Sequence, residues 1–256
     1  MTSHAVSSPV ALHGEYEERG EYHRQLDKNW KYYPVFVHKM RLVRKYLNAN
    51  AKIGKTIDLG CGEGILVEEY RERGFDIVGL DFNYESPHVI RGDMTRLQFE
   101  DGSYDLALAL DVIEHLSFEQ QSQALAEIWR ILKPGGRAIL TIPNLAHFAS
   151  RVTFALFGKL LRTSSIDRHP GDRPIQEYIN LCREHHLEIV SRKGLFPTYP
   201  LISVLTYLAP GKVVPLHGLY NRFAAIPGYC FLNVLEVQKA AKSDQAKSLS
   251  SRRAAA

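Results

Sequence analysis

Apolar residues along the chain fall into short continuous runs, separated by stretches in which apolar positions recur every three or four residues. The runs predict seven strands, at 56–59, 76–81, 88–93, 106–110, 137–142, 187–193 and 229–238. The intervening stretches predict helices at about 15–51, 65–73, 117–132, 146–162 and 175–185, the third opened by a Ser-x-x-Gln capping box. Strands that alternate with helices in this way are typical of an α/β fold.

The turn after the first strand carries the most informative residues. Gly60 and Gly62 follow the strand, so the backbone can turn sharply there and approach a ligand closely. The free N–H groups of the next helix would face the same ligand. Asp58 is a carboxylate within an apolar strand, where burial is costly without a partner. Asp81 follows about 20 residues later, where nucleotide-binding α/β folds place a ribose-binding carboxylate.

Two cofactor classes use a strand, a glycine turn and a helix in this order. A dinucleotide site needs G-x-G-x-x-G, but this chain has G-x-G-x-G with Ile65 at the sixth position. The carboxylate of Asp58 would also repel a diphosphate, whereas it suits a ligand with an ammonium and a sulfonium group. A nicotinamide-dependent oxidoreductase is therefore the less favoured alternative.

Four motifs resemble the class I S-adenosylmethionine-dependent methyltransferases. They are Asp-Leu-Gly-Cys-Gly-Glu-Gly at 58–64, Asp-Leu-Ala-Leu-Ala-Leu-Asp-Val-Ile-Glu-His-Leu at 105–116, Leu-Lys-Pro-Gly-Gly at 132–136 and Thr-Ile-Pro-Asn at 141–144. The chain is most similar to the type-11 and ubiquinone-biosynthesis-type methyltransferases. The resemblance implies a doubly wound, Rossmann-like sheet of seven mostly parallel strands. The last strand is expected to be antiparallel and at the edge of the sheet, and helices should cover both faces.

The resemblance also implies roles for particular residues in binding S-adenosylmethionine. The expected cofactor contacts are, for the methionine end, Asp58, Gly60, Cys61, Gly62 and Asp111; for the ribose, Asp81 with Phe82 beside it; and for adenine, Asp93 and Met94. Cys61 is interpreted as a small space-filling residue rather than a nucleophile. Candidate bases are His115 and His169, although Glu114 with His115 could instead shape the loop, and His169 could be an ordinary surface residue. No metal site is expected.

Two segments extend beyond the minimal fold and are interpreted as an acceptor cap, at about 145–174 and 194–228. The predicted helix 146–162 is apolar with a narrow basic stripe, so it is either mostly buried, the favoured alternative, or lies on an anionic membrane. The stretch 195–209 is apolar but interrupted by Pro197 and Pro200, and it is a second candidate for membrane contact. At the other end of the chain, Tyr22, His23 and Tyr32 are candidates to cover the cofactor.

Composition and charge narrow the function further. The chain has 256 residues with a net charge of +4, and five basic residues against one acid in the last 18 residues account for that excess. The balanced remainder argues against a nucleic-acid-binding protein. The three cysteines show no metal or disulfide spacing, which favours reduced thiols and a cytoplasmic location, with peripheral membrane contact as an option. Neither a signal peptide nor a membrane-spanning run is visible.

The predicted organisation is a disordered N-terminus (1–14), a single methyltransferase domain (15–239) and a disordered basic tail (240–256). The predicted function is methyl transfer from S-adenosylmethionine to a small, apolar or lipid-linked acceptor, with an oxygen acceptor as the guess that the resemblance supports. Besides the oxidoreductase, a non-catalytic cofactor-binding or membrane-surface module with the same fold stays open. The oligomeric state is not predicted.

Overall fold

The computed structural model describes residues 10–21, 23–50, 54–162 and 164–240. Its strands are β1 (Ala11–Leu12), β2 (Thr56–Leu59), β3 (Ile77–Asp81), β4 (Tyr84–Glu85), β5 (Val89–Arg91), β6 (Tyr104–Leu110), β7 (Leu132–Pro143), β8 (Leu187–Pro197) and β9 (Cys230–Lys239). Its α-helices are α1 (Glu15–Arg19), α2 (Tyr33–Ala49), α3 (Ile65–Glu72), α4 (Phe118–Ile131), α5 (Phe148–Phe157), α6 (Ile175–Glu184), α7 (Pro200–Leu208) and α8 (Val214–Phe223). The predicted capping box is present at Ser117 and Gln120.

Seven strands form one sheet in the order β5-β3-β2-β6-β7-β9-β8. The pairs from β5 to β7 are parallel, and β9 is antiparallel to both of its neighbours. The predicted fold class is thus confirmed, but the prediction that the last strand lies at the edge is wrong. β9 lies between β7 and β8, and β8 is the edge strand. The first four residues of β9 are all buried, as expected of a strand with neighbours on both sides.

Helices pack on both faces of this sheet and create two separate cores. On one face, α4 and α6 bury residues such as Leu125 and Tyr178 against the strands. On the other face, α2 and α3 bury Val43 and Tyr70 against β6. Because both faces are covered, the accessible polar chemistry is restricted to the ends of the strands, where ligands of open α/β sheets bind.

The N-terminal segment departs from prediction. The expected continuous helix at 15–51 is instead two helices, because the chain leaves the helical conformation at Gly20 and re-enters it at Tyr33–Pro34. Residues Ala11–Leu12 pair with Tyr84–Glu85, so the prediction of disorder for 1–14 is wrong at these positions. Residues 1–9, residues 241–256 of the predicted tail and Tyr22 lie outside the described part of the chain.

The segments predicted to form the acceptor cap contain α5 after β7, and α7 and α8 between β8 and β9. α5 is shorter than predicted, because the chain turns at Gly158 with φ 63°. Ser150 is its one buried residue, so the favoured expectation of a mostly buried helix is wrong. Within the described residues, every helix is too short or too polar to cross a bilayer.

Candidate cofactor and acceptor site

The glycine loop joins β2 to α3 at the carboxyl end of the sheet. Gly62 has φ 56°, and a Cβ placed on it would lie 2.6 Å from the hydroxyl oxygen of Tyr16. Its N–H donates to Oδ2 of Asp81 at 2.8 Å, and the other oxygen of that carboxylate accepts from the N–H of Asn83 at 2.8 Å. The two predicted cofactor residues Gly62 and Asp81 are therefore hydrogen-bonded to each other, and this bond fixes the end of β3 against the loop.

Asp58 lies beside this loop on β2 with only 3% of its surface exposed. Its Oδ1 is buried and has no hydrogen-bond partner among the described residues. The pKa of Asp58 is raised to about 7, because the effect of burial outweighs the lowering by the nearby ammonium of Lys39, and the charge of Asp81 adds a smaller increase. An unpartnered, half-ionised carboxylate at this position is a site that a cationic group would stabilise.

Lys39 is a buried residue of this site that was not predicted from the sequence. Its side chain is buried on α2, and its Nζ donates to Oδ2 of Asp111 at 2.7 Å. The hydroxyl of Tyr32 donates to the same oxygen at 2.5 Å, and the hydroxyl of Thr141 donates to Oδ1. Asp111 is thus held by three donors, and its φ of 55° is unusual for a non-glycine residue. One sequence signal could have identified Lys39: it lies between Val35 and Val43 on the apolar face of α2, where a lysine needs a buried partner.

The N-terminal segment lies against the glycine loop through His23, one of the residues predicted to cover the cofactor. The backbone N–H of His23 donates to Oε1 of Glu63 at 2.7 Å, and its ring Nδ1 lies 3.4 Å from the same atom. Tyr16, which sequence reasoning did not select, is buried against Gly62 and packs edge-on against Tyr84. Tyr32, by contrast, lies at Asp111 rather than at the loop.

The remaining predicted cofactor residues lie at the ends of the same strands. Oδ1 of Asp93 accepts from the N–H and the hydroxyl of Thr95, both at 2.8 Å, so this carboxylate closes a turn after β5. Met94 is buried in the core, and Phe82 is largely exposed. Cys61 packs where a Cβ on Gly79 would fall, and burial raises the pKa of its thiol well above the ordinary value. These two facts suit the interpretation of Cys61 as a space-filling residue.

The structure brings both candidate bases together. The rings of His115 and His169 have centroids 4.6 Å apart in an edge-on arrangement. Nδ1 of His115 lies 2.9 Å from the carbonyl oxygen of Arg168. Because a carbonyl only accepts, Nδ1 must carry the proton in this contact, which leaves Nε2 of neutral His115 able to accept one. Nδ1 of His169 faces Oδ1 of Asp172 at 3.4 Å.

Glu114 lies beside this histidine pair. It is buried, its Oε2 has no hydrogen-bond partner among the described residues, and burial together with Asp111 raises its pKa well above the ordinary value. Ligand atoms of Glu114, His115 and His169 lie within 4.8 Å of one another, a spacing that could hold a metal ion. No metal site was predicted here. His169 is far from Glu114 and His115 in sequence, so the spacing of residues along the chain does not reveal the cluster of the three.

Gln121 on α4 ties the two histidine-bearing segments together. Its buried amide donates to the carbonyl oxygens of Ile113 at 3.1 Å and Gly171 at 2.8 Å, and its oxygen accepts from Nε of Arg173 at 2.9 Å. A Cβ on Gly171 would lie 1.9 Å from this amide, so only glycine fits there. One side chain therefore sets the spacing between the loop of His115 and the loop of His169.

Known proteins share this sequence pattern and fold. Residues 57–140 match the family model described as a methyltransferase domain, Methyltransf_11. A ubiquinone biosynthesis O-methyltransferase of Nitrosococcus oceani is 29% identical over 196 residues, which are 68% of this chain and 80% of that protein. A demethylmenaquinone methyltransferase of Renibacterium salmoninarum is 31% identical over 103 residues, 36% of this chain and 42% of that protein. Among solved structures, the PH0226 protein of Pyrococcus horikoshii aligns with a TM-score of 0.56 and 16% identity, covering 88% of this chain and 99% of that one.

Together with the fold and the glycine loop, these matches define a class I S-adenosylmethionine-dependent methyltransferase. Residues 57–140 are similar to the type-11 methyltransferase family, and the cofactor is S-adenosylmethionine. The site fits that molecule. The unpartnered oxygen of Asp58 suits an ammonium group, the glycine loop allows close approach, and the Asp81 carboxylate lies where ribose hydroxyls are bound in such folds.

Proposed function

We propose that this methyltransferase methylates a hydroxyl group on a small, apolar aromatic acceptor, the kind of molecule on which quinone-pathway relatives act. The observation that carries the proposal is the orientation of His115, whose Nδ1 contact with the carbonyl of Arg168 leaves Nε2 as a proton acceptor. Support also comes from the ubiquinone biosynthesis O-methyltransferase, which aligns over 80% of its length. The apolar side chains of the acceptor cap suit an apolar substrate.

The proposed roles follow from the geometry. Bound S-adenosylmethionine supplies an electrophilic methyl group. Asp58 holds its ammonium, Asp81 its ribose hydroxyls, and Asp93 with Met94 its adenine, while Tyr16 and His23 exclude water from the glycine loop. The protein contributes mainly alignment and desolvation, which are large effects in a displacement reaction.

His115 is proposed to take the proton. The acceptor O–H bond would break and its proton would move to Nε2 of His115. The freed oxygen lone pair would bond to the methyl carbon while the carbon–sulfur bond breaks, and the electron pair of that bond would stay on sulfur as S-adenosylhomocysteine leaves. Asp172 would hold His169 in place, and His169 would pack against the ring of His115 and limit its motion. A base is needed here because a neutral hydroxyl is a weak nucleophile.

A second candidate role for the same group is metal binding, and the spacing of Glu114, His115 and His169 specifically favours it. A divalent cation held there would lower the pKa of an acceptor hydroxyl directly. The two roles make opposite predictions about chelation. Base catalysis should survive exhaustive treatment with EDTA, whereas metal-assisted transfer should be lost and then restored by added Mg²⁺ or Zn²⁺.

The test measures transfer of labelled methyl groups to a panel of alkyl catechols, alkyl phenols, anilines and activated carbon acids. We expect transfer to hydroxyls and a drop of about 10²–10⁴-fold in kcat for His115→Gln. The deficit should shrink at high pH, because an ionised hydroxyl needs no base. His88→Gln, a histidine at the far edge of the sheet, is the matched control. Transfer only to nitrogen or carbon, or an unchanged kcat in His115→Gln, would contradict the proposal.

A further inference from the structure

The helices of the acceptor cap carry eleven exposed apolar side chains. They are Val152, Phe154, Leu156 and Phe157 on α5, Leu201, Val204, Tyr207 and Leu208 on α7, and Leu219, Phe223 and Ile226 on and after α8; we call this set the cap surface. Phe157 is 76% exposed, Phe223 74% and Leu208 70%. Apolar exposure on this scale marks an interaction site.

The three helices of the cap surface meet at Tyr199. The ring of Tyr199 packs edge-on against Phe148 at 5.0 Å between centroids and tilts against Tyr220 at 6.5 Å. The N–H of Ala149 donates to the hydroxyl of Thr198 at 3.0 Å. These contacts join the base of α5 to the starts of α7 and the middle of α8, so the exposed side chains belong to one structural unit.

In the two segments that carry the cap surface, every lysine, arginine, aspartate or glutamate position is basic. Neither 146–162 nor 194–229 contains an aspartate or glutamate, whereas together they contain five basic residues: Arg151, Lys159, Arg162, Lys212 and Arg222. Of these, Arg162 is paired with Asp172 of a neighbouring loop. Lys31 adds a sixth basic side chain, with its Nζ 3.6 Å from the ring centre of Tyr207. A surface that combines apolar side chains with basic residues and lacks acids is complementary to an anionic lipid surface.

The shape of α5 distinguishes a bilayer from a protein partner. A helix that docks on another protein has an apolar stripe and a polar back. On α5, exposed apolar side chains point in different directions, since Val152 lies about 160° from Phe154 and about 140° from Phe157 around the helix axis. A fluid apolar phase can surround such a helix, whereas one rigid partner face cannot.

We propose that the cap surface inserts into the interface of an anionic bilayer. This inference rests on the proposed function in one respect, because it would place the acceptor site next to the phase in which an apolar acceptor dissolves. α5 begins a few residues after β7, and Arg162, just beyond α5, lies 3.5 Å from Asp172 of the loop that carries His169. The membrane-facing helix and the catalytic loop are therefore neighbours.

The first experiment measures cosedimentation of the full chain with vesicles of phosphatidylcholine alone and of phosphatidylcholine with phosphatidylglycerol. We expect binding to the anionic vesicles that weakens with salt. Phe154→Ser with Phe157→Ser should reduce it at least tenfold. The control pair, Ile90→Ser with Val190→Ser, removes apolar side chains of intermediate exposure elsewhere and should leave it unchanged.

The second comparison removes charge. Lys159→Gln, Lys212→Gln and Arg222→Gln together should weaken binding to anionic vesicles at least tenfold. Their control combines Lys45→Gln, Arg183→Gln and Lys193→Gln, which changes net charge equally. Equal loss in both triple variants, or no binding of the wild-type chain, would overturn the proposal. So would concentration-dependent dimerisation that the phenylalanine variants abolish, because a second copy would then cover the surface.

The membrane proposal and the proposed function can fail independently of each other. Calorimetric binding of S-adenosylhomocysteine requires neither vesicles nor the acceptor cap, and the cap variants should retain it. Methylation of a water-soluble catechol is measured on the wild-type chain without vesicles. Vesicle binding without hydroxyl methylation would reject only the proposed acceptor chemistry. Hydroxyl methylation without vesicle binding would reject only the membrane proposal.

Discussion

Replacement of Asp58 by asparagine should have opposite effects on the free protein and on its complex with cofactor. The carboxyl is buried and its pKa is about 7, against an ordinary value of 3.8. Since the folded pKa is raised, the unfolded chain releases its proton first as pH rises. The free energy of unfolding therefore falls between about pH 4 and pH 7, and the full loss is reached above pH 7.

Between pH 5 and pH 8 this difference amounts to about 3 kcal/mol, on the order of two pKa units. Asp58→Asn removes the titration, so the variant should gain about that much stability relative to wild type over this interval. Urea unfolding of the cofactor-free protein at pH 5, 6, 7 and 8 measures it. Asp101→Asn, a change at an exposed carboxylate, is the control.

Cofactor binding should change in the other direction. If the ammonium of the cofactor lies at Asp58, the lost charge-assisted hydrogen bond should raise the Kd for S-adenosylhomocysteine by about 10–100-fold at pH 8. Calorimetry of the wild-type chain and of Asp58→Asn in the same buffer gives the ratio of the two Kd values. A stability difference that does not change with pH would refute the argument from burial, and unchanged affinity would refute the placement of the ammonium.

Two further changes test the neighbouring acids. Asp81→Asn should weaken binding of S-adenosylhomocysteine by roughly tenfold or more in calorimetry, because the site loses a charged acceptor for ribose hydroxyls; unchanged affinity would remove Asp81 from the cofactor site. Lys39→Met should lower the free energy of unfolding at pH 7 by about 3 kcal/mol in urea, because Asp111 would be left partly buried without its cation. Lys45→Met, on the exposed side of the same helix, should cost little, and equal losses in the two variants would show that the ion pair contributes nothing.

The sequence predicts the central strands and the glycine loop well because each has a local pattern. The apolar run of 56–59 and the glycines after it leave few alternatives, and Asp81 is found by its spacing. Lys39 and Tyr16 escape prediction, because their roles arise from contacts between segments far apart in sequence. The reason for a lysine on the apolar face of α2 is evident only when the fold brings its carboxylate partner, Asp111, next to it.

The position of β9 and the exposure of α5 also escape prediction, for different reasons. Strand order is set by how the whole chain crosses the sheet, and the apolar run of β9 fits an interior strand as well as an edge. For α5, apolar composition predicts burial only when the rest of the chain supplies a surface to cover it. Ser150 is the one residue of this helix that the protein buries.

The contacts of Gln121 bear on how acceptor choice can change in related enzymes. This side chain anchors the chain on either side of the histidine pair, at Ile113 and at Gly171. The cap helices α5, α7 and α8 contribute none of these hydrogen bonds, so we expect that they can be lengthened, shortened or exchanged while the two imidazoles keep their separation. We therefore expect that related enzymes can change their acceptor through the cap helices α5, α7 and α8 alone, while the residues around the histidine pair stay the same.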